Sequence, residues 1–597
     1  MRVKWTEEQQ KVIDVRNKDV LVSAAAGSGK TAVLVERILS LVCGDGQGDA
    51  PMDVDRLLVV TFTNAAAAEM RERVGLALAA RLEAEPENVH LQKQQTLIHN
   101  AQITTIHSFC QYVIRNYFHQ LNLDPSFRIG DEGELKLLQK EVLEELLEAR
   151  YGEHSPEFVD FVETYAVGKS DAPIEELILK LYEFSISYPY PKEWLEQCMD
   201  TYQADKKEDL NQSRWMAFLL DFTEKLLEGL REELQRGLAL CREVDGPYMY
   251  EEALLRDLEQ VEILIGCRDY EEYQSALENL AFVRLSGKRD AQVDEGKKAR
   301  IKELRERMKK SLKDLKETYF ACPLKDVLEL LKMAASPTEV LISLVKEFAD
   351  RYQEKKRNKN LADFSDLEHL ALEILVKEVR GEEGRFAVTV TEAAKELSER
   401  YVQIMIDEYQ DSNLLQEIIL SSVSRRAAGC PNVFMVGDVK QSIYRFRLAR
   451  PELFMEKYHT YPQTEEGAAI RIDLHKNFRS RREVLTGVNE IFSRLMTPGV
   501  GKIRYDEAAA LYLGSAMPDP EEEINGPELL LLGGDGPELS DDEKDVTARE
   551  LEAYGAAERI RGLLANQQVW DAKGACFRPA AYGDIVILLR SLTGWGD

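Results

Sequence analysis

The chain has 597 residues, of which 44% are hydrophobic and 31% are charged, and its net charge at pH 7 is −29. That length is enough for about three or four domains that each bury a core, and the composition is typical of a globular protein. The negative charge argues against a protein that coats DNA by charge alone, although it is compatible with a local basic channel.

The cysteines and the apolar segments bear on the compartment. No apolar run approaches the roughly 20 residues of a membrane span, and residues 1–8 lack the apolar core of a signal peptide. The eight cysteines show no C-x-x-C spacing, and the eight histidines show no metal-ligand spacing. We therefore expect a cytoplasmic protein without membrane contact, disulfide framework or zinc site.

The first predicted strand, at 20–23, leads into a glycine-rich loop and then into a helix at 31–42. Backbone N–H groups of the loop can hold phosphates at the positive end of that helix. Lys30 can reach the β- and γ-phosphates of ATP, and the Thr31 hydroxyl can ligate Mg²⁺. The predicted ATP-binding residues of the loop are Ala24, Ala25, Ala26, Gly27, Ser28, Gly29, Lys30 and Thr31. Because Ala24 replaces the usual first glycine, a strand–helix turn that binds nothing is the alternative.

The next predicted elements are a buried strand at 57–61 and, from about 131 to 360, a series of long helices. Leu138, Val142 and Leu146, for example, recur at helical spacing. We therefore predict that an all-helical insertion interrupts an α/β domain.

Within that helical region, the segment 287–316 is dense in lysine and arginine. One interpretation is a solvated helix whose charges pair at i,i+4 spacing. The other is an arm that contacts the phosphates of duplex DNA. The sequence leaves both interpretations open.

Alternating strands and helices return after about residue 360, with strands predicted at 402–406 and 433–436. The first of these ends in the adjacent carboxylates Asp407 and Glu408, which places both at the edge of a sheet where ligands of α/β proteins bind. Asp407 would hold Mg²⁺ through water, and Glu408 would orient and deprotonate the attacking water. Together with the phosphate-binding loop, this pair predicts a nucleoside triphosphate hydrolase.

The C-terminal part is predicted to begin a second α/β unit near Ile472. It contains an acidic loop at 517–545, rich in proline and glycine, and an apolar strand at 583–590. We expect this second unit to be unfinished where the chain stops.

Six further segments accompany the two nucleotide motifs in a fixed order. They are WTEEQQ at 5–10, TFTNAAAAEMRER at 61–73, TTIHSF at 104–109, DFSDL at 363–367, VGDVKQSIYRFR at 436–447 and LHKNFRS at 474–480. In this order they resemble the successive motifs of superfamily 1 UvrD/Rep-type DNA helicases. Within that superfamily, the segments 22–27, 64–68 and 439–448 look most like the AddA group of helicase–nuclease subunits, in which an alanine at position 24 is usual.

The resemblance implies a fold and a set of nucleotide contacts. The fold would be α/β, with RecA-like P-loop lobes: residues 1–130 and 361–470 would form the first lobe, 131–360 the insertion, and 471–597 the start of the second lobe. Gln9 would read the adenine and Phe478 would stack on it. Gln441 would sense the γ-phosphate and Arg479 would stabilise its charge, so that the predicted catalytic set is Lys30, Asp407, Glu408, Gln441 and Arg479.

The resemblance also implies a path for single-stranded DNA. Phe62, Tyr444 and Phe446 would stack on bases irrespective of their identity. Neutral donors would hold the phosphates, which explains how an acidic protein could bind DNA. These donors are Thr63, Asn64, Thr105, His107 and Ser108.

The expected activity is ATP-driven 3′→5′ translocation on single-stranded DNA with unwinding of duplex DNA, in a heterodimer with an AddB-like second subunit that processes double-strand breaks for homologous recombination. The family's last two helicase motifs and its nuclease domain are absent from this chain, so we expect weak ATP binding and slow hydrolysis. Two alternatives remain: a stand-alone UvrD-type repair helicase, and a truncated module that binds ATP and DNA without hydrolysis.

Overall fold

The computed structural model describes most of the chain. The described residues are 4–44, 50–121, 123, 124, 126–166, 168, 170–203, 210–382, 385–497, 503–515, 518, 526–532, 548–571 and 574–591. They divide into two compact units. Unit 1 comprises Met1–Ile106, Glu396–Ser412 and Val423–Asp597, and unit 2 comprises His107–Lys395 and Asn413–Ser422.

The described strands are short, and they are numbered here in chain order. They are β1 (Asp19–Ala24), β2 (Leu57–Thr61), β3 (Gln102–Thr105), β4 (Arg128–Ile129), β5 (Leu361–Ala362), β6 (Val376–Glu382), β7 (Arg385–Val390), β8 (Gln403–Ile406), β9 (Val433–Gly437), β10 (Ala469–Leu474), β11 (Lys476–Asn477), β12 (Tyr512–Leu513), β13 (Gln568–Asp571) and β14 (Cys576–Pro579).

The described helices are numbered in the same way. They are α1 (Glu7–Asp14), α2 (Lys30–Cys43), α3 (Asn64–Ala84), α4 (Val89–Leu97), α5 (Ile106–Tyr117), α6 (Glu132–Glu153), α7 (Pro156–Tyr165), α8 (Ala172–Ser185), α9 (Pro191–Met199), α10 (Arg214–Cys241), α11 (Glu251–Ile265), α12 (Tyr270–Glu278), α13 (Glu295–Tyr319), α14 (Leu324–Asn358), α15 (Phe364–Leu375), α16 (Glu392–Arg400), α17 (Leu414–Ser422), α18 (Pro451–Thr460), α19 (Arg482–Leu495) and α20 (Ala548–Asn566).

Unit 1 is organised around a six-stranded sheet with the strand order β10-β1-β9-β8-β2-β3, in which all neighbours are parallel. Strands β2, β8 and β9 are buried along their whole length, as expected for a parallel sheet covered on both faces. The strands predicted at 20–23, 57–61, 402–406 and 433–436 are thereby confirmed, as is the α/β class. Because all strands run in the same direction, the segments that follow β1, β2, β8 and β9 emerge at one edge of the sheet.

Unit 2 is mainly helical, with two small paired-strand elements, β4–β5 and β6–β7. One of its cores is formed by α6, α7, α8 and α14 and includes Val142, Phe161 and Phe348. A second core, which includes Leu234, Leu254 and Leu312, is formed largely by α10, α11, α12 and α13. The long helices expected between 131 and 360 are therefore present.

Three expectations about the C-terminal part have different outcomes. The strand predicted at 583–590 is wrong: a short 3-10 helix at Tyr582–Asp584 leads into irregular chain, because the apolar run finds no neighbouring strand in the described part of the structure. The acidic loop predicted at 517–545 lies largely outside the described residues. The boundary predicted at residue 470 stays a prediction, although β10 crosses it and pairs with β1. None of the described helices is long and apolar enough to cross a membrane.

Candidate functional site

The loop after β1 has the backbone geometry that a phosphate-binding loop requires. Gly27 and Gly29 have φ values of +70° and +82°, in the left-handed region that favours glycine, and Gly29 is the N-cap of α2. Lys30 and Thr31 begin α2, so its free N–H groups and positive dipole end face the loop. Only glycine adopts this conformation without steric cost, and the loop therefore has glycine at both positions.

Asn477 and Phe478 hold this loop from outside. The Asn477 Nδ2 amide donates to the Ala26 carbonyl oxygen at 2.7 Å, and the Phe478 N–H donates to the Gly27 carbonyl oxygen at 2.8 Å. A Cβ on Gly27 would lie 2.6 Å from Asn477 Nδ2, so a side chain there would displace the amide. Glycine at position 27 is therefore required by its backbone and by its neighbour.

Ala24, Ala25 and Ser28 complete the predicted loop residues. Ala24 ends β1 and is fully buried, and the Ala25 N–H donates to the Leu474 carbonyl oxygen at 3.0 Å. The Ala24 backbone is regular strand, so this position has no conformational need for glycine. Ser28 is buried and its hydroxyl has no hydrogen-bond partner in the described structure.

A cavity of about 250 Å³ lies beside the loop and brings together both residues predicted to contact adenine. Its lining includes Gln9, Ser28, Phe478, Lys476 and Tyr512. The Gln9 side chain accepts from the Thr6 N–H at 3.0 Å and donates from Nε2 to the Ser28 carbonyl oxygen at 3.0 Å. Gln9 is thus fixed in place both by the cap of its own helix and by the loop. Lys476 lies in the motif at 474–480 but was given no role, and Tyr512 was missed because nothing in the local sequence marks it.

The two carboxylates after β8 lie at the same sheet edge as the loop, and one of them contacts its lysine. Lys30 Nζ is 3.0 Å from Glu408 Oε2 and 3.2 Å from Oε1. Glu408 has φ +50°, an unusual conformation for a residue with a side chain. Such strain is typical of functional positions.

Asp407 and Thr31 are the two residues predicted to hold Mg²⁺, and each has a side-chain oxygen. Burial and the neighbouring Glu408 carboxylate raise the pKa of Asp407 to about 6, while the Lys30 charge acts in the opposite direction. A buried carboxylate with a raised pKa is one that a divalent cation would stabilise. The Thr31 side chain has no partner in the described structure, and hydroxyl and carboxylate oxygens are the donors that Mg²⁺ prefers.

The remaining two predicted catalytic residues have different surroundings. Gln441 donates from Nε2 to Asp438 Oδ2 at 2.9 Å, in the segment that follows β9. Arg479 is exposed, and no contact of its guanidinium with Lys30 or Glu408 is present in the described structure. The structure therefore places Gln441 in a defined network but does not bring the Arg479 side chain to the loop.

Three aromatic rings predicted to contact DNA lie in one row in unit 1, the aromatic strip. The Phe62 and Tyr444 ring centroids are 4.5 Å apart, and those of Tyr444 and Phe446 are 5.9 Å apart. Phe446 keeps 76% of its surface exposed, which is unusual for a phenylalanine that has only a packing role. Such a row presents consecutive faces on which bases can stack.

The polar DNA candidates of unit 1 occur where β2 and β3 end. Thr63 caps α3 and accepts from the Ala66 N–H at 3.1 Å. Asn64 accepts from the Thr105 hydroxyl at 3.4 Å, so these two side chains also contact each other.

The candidates of unit 2 lie on α5. His107 Nε2 is 3.3 Å from Glu368 Oε1, and the His107 ring is 4.9 Å from the Phe364 ring. Burial acts to raise the pKa of Glu368, but the hydrogen bonds from His107, Gln416 and Asn413 bring it below its ordinary value. Ser108 also has an interaction partner. The exposed Phe364, 57% accessible, was not singled out from the sequence.

The basic segment 287–316 includes most of α13, and its charges are only partly neutralised. Lys297 contacts Glu243 and Asp245, and Arg305 forms a buried ion pair with Asp257. Several cations have no partner among the described residues. These are Arg289, Arg300, Lys302, Lys310 and Lys316. Pairing accounts for part of the segment, and for the rest both interpretations, a solvated helix and contact with DNA, stay open.

Comparison with known proteins places this geometry in a family. The model of the UvrD/REP helicase N-terminal domain matches residues 5–462. Proteins named as the A subunit of an ATP-dependent helicase/nuclease are similar over nearly the whole chain: 46% identical in Lachnoclostridium phytofermentans, 40% in Clostridium acetobutylicum and 42% in Alkaliphilus oremlandii. The alignments cover 99–100% of this chain but 45–49% of those relatives, so the chain spans about half their length. The resemblance to the AddA group is thereby confirmed.

Proposed function

This chain is a member of the UvrD/REP helicase family, and from that premise we propose that it is the ATP-driven motor part of a DNA helicase/nuclease. The observation that carries the proposal is the combination, in unit 1, of the loop at Gly27–Gly29, the Lys30–Glu408 contact and the aromatic strip. A nucleotide site and a base-stacking surface on one sheet edge are the two parts that a DNA-dependent motor needs.

ATP would bind with its adenine in the cavity between Gln9 and Phe478 and its phosphates in the loop. The Gln9 amide offers a donor and an acceptor to the base edge, and the exposed face of Phe478 offers stacking. Arriving phosphates would attract Lys30 away from Glu408. Binding of the phosphates would thus break the ion pair between Lys30 and Glu408.

Hydrolysis would then depend on a base, on residues that contact the γ-phosphate and on residues that hold Mg²⁺. Glu408, released from Lys30, would accept a proton from the attacking water. Gln441 would sense the γ-phosphate. Arg479 would approach the γ-phosphate and stabilise the charge of that group. Thr31 and Asp407 are the residues that would hold Mg²⁺, which when bound neutralises charge on the phosphates.

DNA would be bound irrespective of its base sequence. Bases would stack on Phe62, Tyr444 and Phe446, and the neutral groups of Thr63, Asn64, Thr105, His107 and Ser108 would hold phosphates. This way of binding suits a motor that moves along any sequence, and it requires no positive net charge.

The wider role follows the family and rests on the relatives' name as subunits. We propose a first RecA-like lobe from residues 1–130 and 361–470, a helical insertion at 131–360 between its two parts and the start of a second lobe at 471–597. We also propose 3′→5′ movement on single-stranded DNA and unwinding of duplex DNA. An AddB-like partner, a cytoplasmic location and a role in double-strand break repair by recombination belong to the same proposal. Nuclease activity is expected of the longer relatives and not of the residues described here.

The first test removes the proposed base. Glu408→Gln keeps the size of the side chain but cannot accept a proton, so phosphate release on single-stranded DNA should fall by a factor of about 10² or more. Binding of a fluorescent ATP analogue should stay within a few-fold of wild type. Unchanged phosphate release in Glu408→Gln would contradict the role of Glu408 as the base, and an absence of phosphate release from the wild-type chain would favour a module that only binds ATP and DNA.

The second test addresses the DNA surface. Phe446→Ala removes one stacking face and should weaken binding of a dT₁₆ oligonucleotide by roughly 5- to 100-fold, since each stacked base contributes about 1–3 kcal/mol. The matched control is Phe218→Ala, which removes a similarly exposed phenylalanine from α10 in unit 2. Fluorescence anisotropy measures both variants, and equal loss in the two would argue against a role for the strip.

A further inference from the structure

A glutamine outside the predicted site, Gln410, is buried two residues after Glu408 with every polar atom of its side chain in use. Its Nε2 donates to Glu408 Oε2 at 2.9 Å and to Asp411 Oδ2 at 3.2 Å. Its Oε1 accepts from the Asp438 N–H at 2.9 Å. Only this orientation of the amide places donors against carboxylates and the acceptor against the N–H group. Gln410 therefore connects the proposed base to the segment after β9.

The neighbouring glycine shows how closely the two segments approach. A Cβ on Gly437 would lie 2.3 Å from Gln410 Oε1 and 3.2 Å from the Tyr409 backbone nitrogen. Both of these atoms belong to the turn that follows Glu408, so any side chain at position 437 would push that turn away. Glycine at this position preserves the hydrogen bond from Asp438 to Gln410.

From Asp438 the connection continues to the aromatic strip. Asp438 is almost fully buried, and its carboxylate accepts from Gln441 Nε2 at 2.9 Å and from Lys440 Nζ at 2.9 Å. A short 3-10 helix at Val439–Gln441 separates this carboxylate from Tyr444 by a few residues. An unbroken set of hydrogen bonds thus runs from Glu408 through Gln410 and Asp438 to Gln441, adjacent in the chain to the strip.

We propose that Gln410 is a positioning residue that couples the nucleotide site to the DNA surface. DNA stacked on Tyr444 and Phe446 would shift the 438–441 segment, and Gln410 would transmit that shift to the orientation of the Glu408 carboxylate. Conversely, the movement of Glu408 when Lys30 turns to a bound nucleotide would be transmitted to the strip. This inference rests on the proposed function, because it assigns Glu408 to hydrolysis and the strip to DNA.

Coupling of this kind is measurable at equilibrium, without hydrolysis, because it is reciprocal between the two ligands. The dissociation constant of the full chain for fluorescent dT₁₆ is measured without nucleotide and with saturating AMPPNP and Mg²⁺. The wild-type constants should differ by at least about fivefold, the lower end of ordinary coupling between sites. In Gln410→Met, which keeps the volume and removes all three hydrogen bonds, the two constants should agree within about twofold.

Gln403→Met is the matched control. Gln403 is a buried glutamine on β8, and its side chain donates to the Asn432 carbonyl oxygen at 2.6 Å and accepts from Arg37 at 3.2 Å. Its loss should lower the thermal midpoint about as much as the loss of Gln410, but it should leave the wild-type ratio of constants intact. A loss of the ratio in both variants would mean general loosening of the sheet, and it would overturn the assignment to Gln410.

The charged variant Gln410→Glu tests whether the ratio of the two dissociation constants can be restored by a change of pH. In Gln410→Glu at pH 8, a carboxylate faces Glu408 and Asp411, so the ratio should be lost. At pH 5.5 the introduced carboxyl group, once protonated, could donate to Glu408 and accept from the Asp438 N–H, and part of the ratio should return relative to wild type at the same pH.

The remaining outcomes separate the two proposals. If dT₁₆ or AMPPNP does not bind the wild-type chain, the proposed function fails. If both bind but the wild-type ratio is one, or if Gln410→Met keeps the wild-type ratio, the role of Gln410 is overturned while the proposed function stands.

Discussion

In unit 2, Lys356 is completely buried and donates to Asp363 Oδ2 at 2.7 Å and to Asp366 Oδ1 at 2.8 Å. In unit 1, Lys30 keeps 12% of its side chain exposed and has Glu408 as its one ion-pair partner in the described structure. Both clusters surround a lysine with aspartates or glutamates, and a count of charges would not distinguish them. Their hydrogen bonds do.

The carboxylates around Lys356 satisfy one another and the backbone. Asp363 caps α15 by accepting from the Asp366 N–H, and Asp366 accepts from the Asp363 N–H, each at 2.8 Å. Burial works against ionisation of Asp363, but Lys356 brings its pKa below the ordinary value. Burial and the Asp363 charge raise the pKa of Asp366 to about 6. We call this cluster closed, because its three side chains form hydrogen bonds with one another and with the backbone.

The cluster around Lys30 is open by comparison. Asp411 has a buried carboxylate oxygen without a hydrogen-bond partner in the described structure, and burial raises its pKa, like that of Asp407, to about 6. A buried acceptor without a hydrogen-bond donor lowers the stability of the fold, unless a ligand or an ion interacts with it. A closed cluster therefore indicates a structural role, and an open cluster, with an unpaired buried carboxylate oxygen, indicates a ligand site.

The largest effect that this comparison predicts is on stability in unit 2. Lys356→Met would leave two buried carboxylates without their cation, so the free energy of unfolding should fall by about 3–5 kcal/mol. Hydrogen exchange of the amides of α15 measures this locally, because two compact units need not unfold together. Lys355→Met is the control: its half-exposed pairs with Glu141 and Glu145 should contribute less than about 1 kcal/mol. Equal losses would refute the distinction between the two lysines.

The stability of Lys356→Met should also increase as the pH falls. Without Lys356, the pKa values of Asp363 and Asp366 in the folded state should both lie above the unfolded value of about 3.9. The folded state then binds more protons, so its stability increases as pH falls. Between pH 8 and pH 5.5, the stability difference from wild type should narrow by about 1–2 kcal/mol. A constant or widening difference in α15 exchange would show that charge is not the cause.

The sequence predicted the features that depend on neighbouring residues in the chain. It did not predict those that depend on contacts between distant segments. The strands β1, β2, β8 and β9 were predictable because continuous apolar runs indicate strands that are buried on both faces. The apolar run at 583–590 has the same local pattern but no neighbouring strand in the described structure, and periodicity carries no information about neighbours. For the same reason, the sequence predicted that a second α/β unit begins near Ile472, and it did not show that β10 pairs with β1.

The residues of the candidate site also fall into two groups, those that the sequence predicted and those that only the structure shows. Motif order pointed to Gln9 and Phe478, and the structure places both in one cavity. Nothing local marked Tyr512, which lines that cavity, or the hydrogen bond from Asn477 to Ala26, which joins residues far apart in the chain. Gln410 lies three residues after the predicted Asp407, yet its importance depends on Asp438, which only the fold brings near.

The smallest expected stability effect provides the sharpest test of the comparison. Lys30→Met removes an ion pair whose Glu408 side chain is about one-third exposed, so water can solvate the remaining carboxylate and the unfolding free energy should change by less than about 1 kcal/mol. Binding of ATP, in contrast, should weaken more than about tenfold, because the lysine would contact the β- and γ-phosphates. Lys356→Met should show the reverse pattern, with α15 destabilised and the affinity for a fluorescent ATP analogue unchanged. If both substitutions lowered stability equally, or if Lys30→Met bound the nucleotide as wild type does, then open and closed clusters would not differ in function, and the assignment of Lys30 to the phosphates would fall.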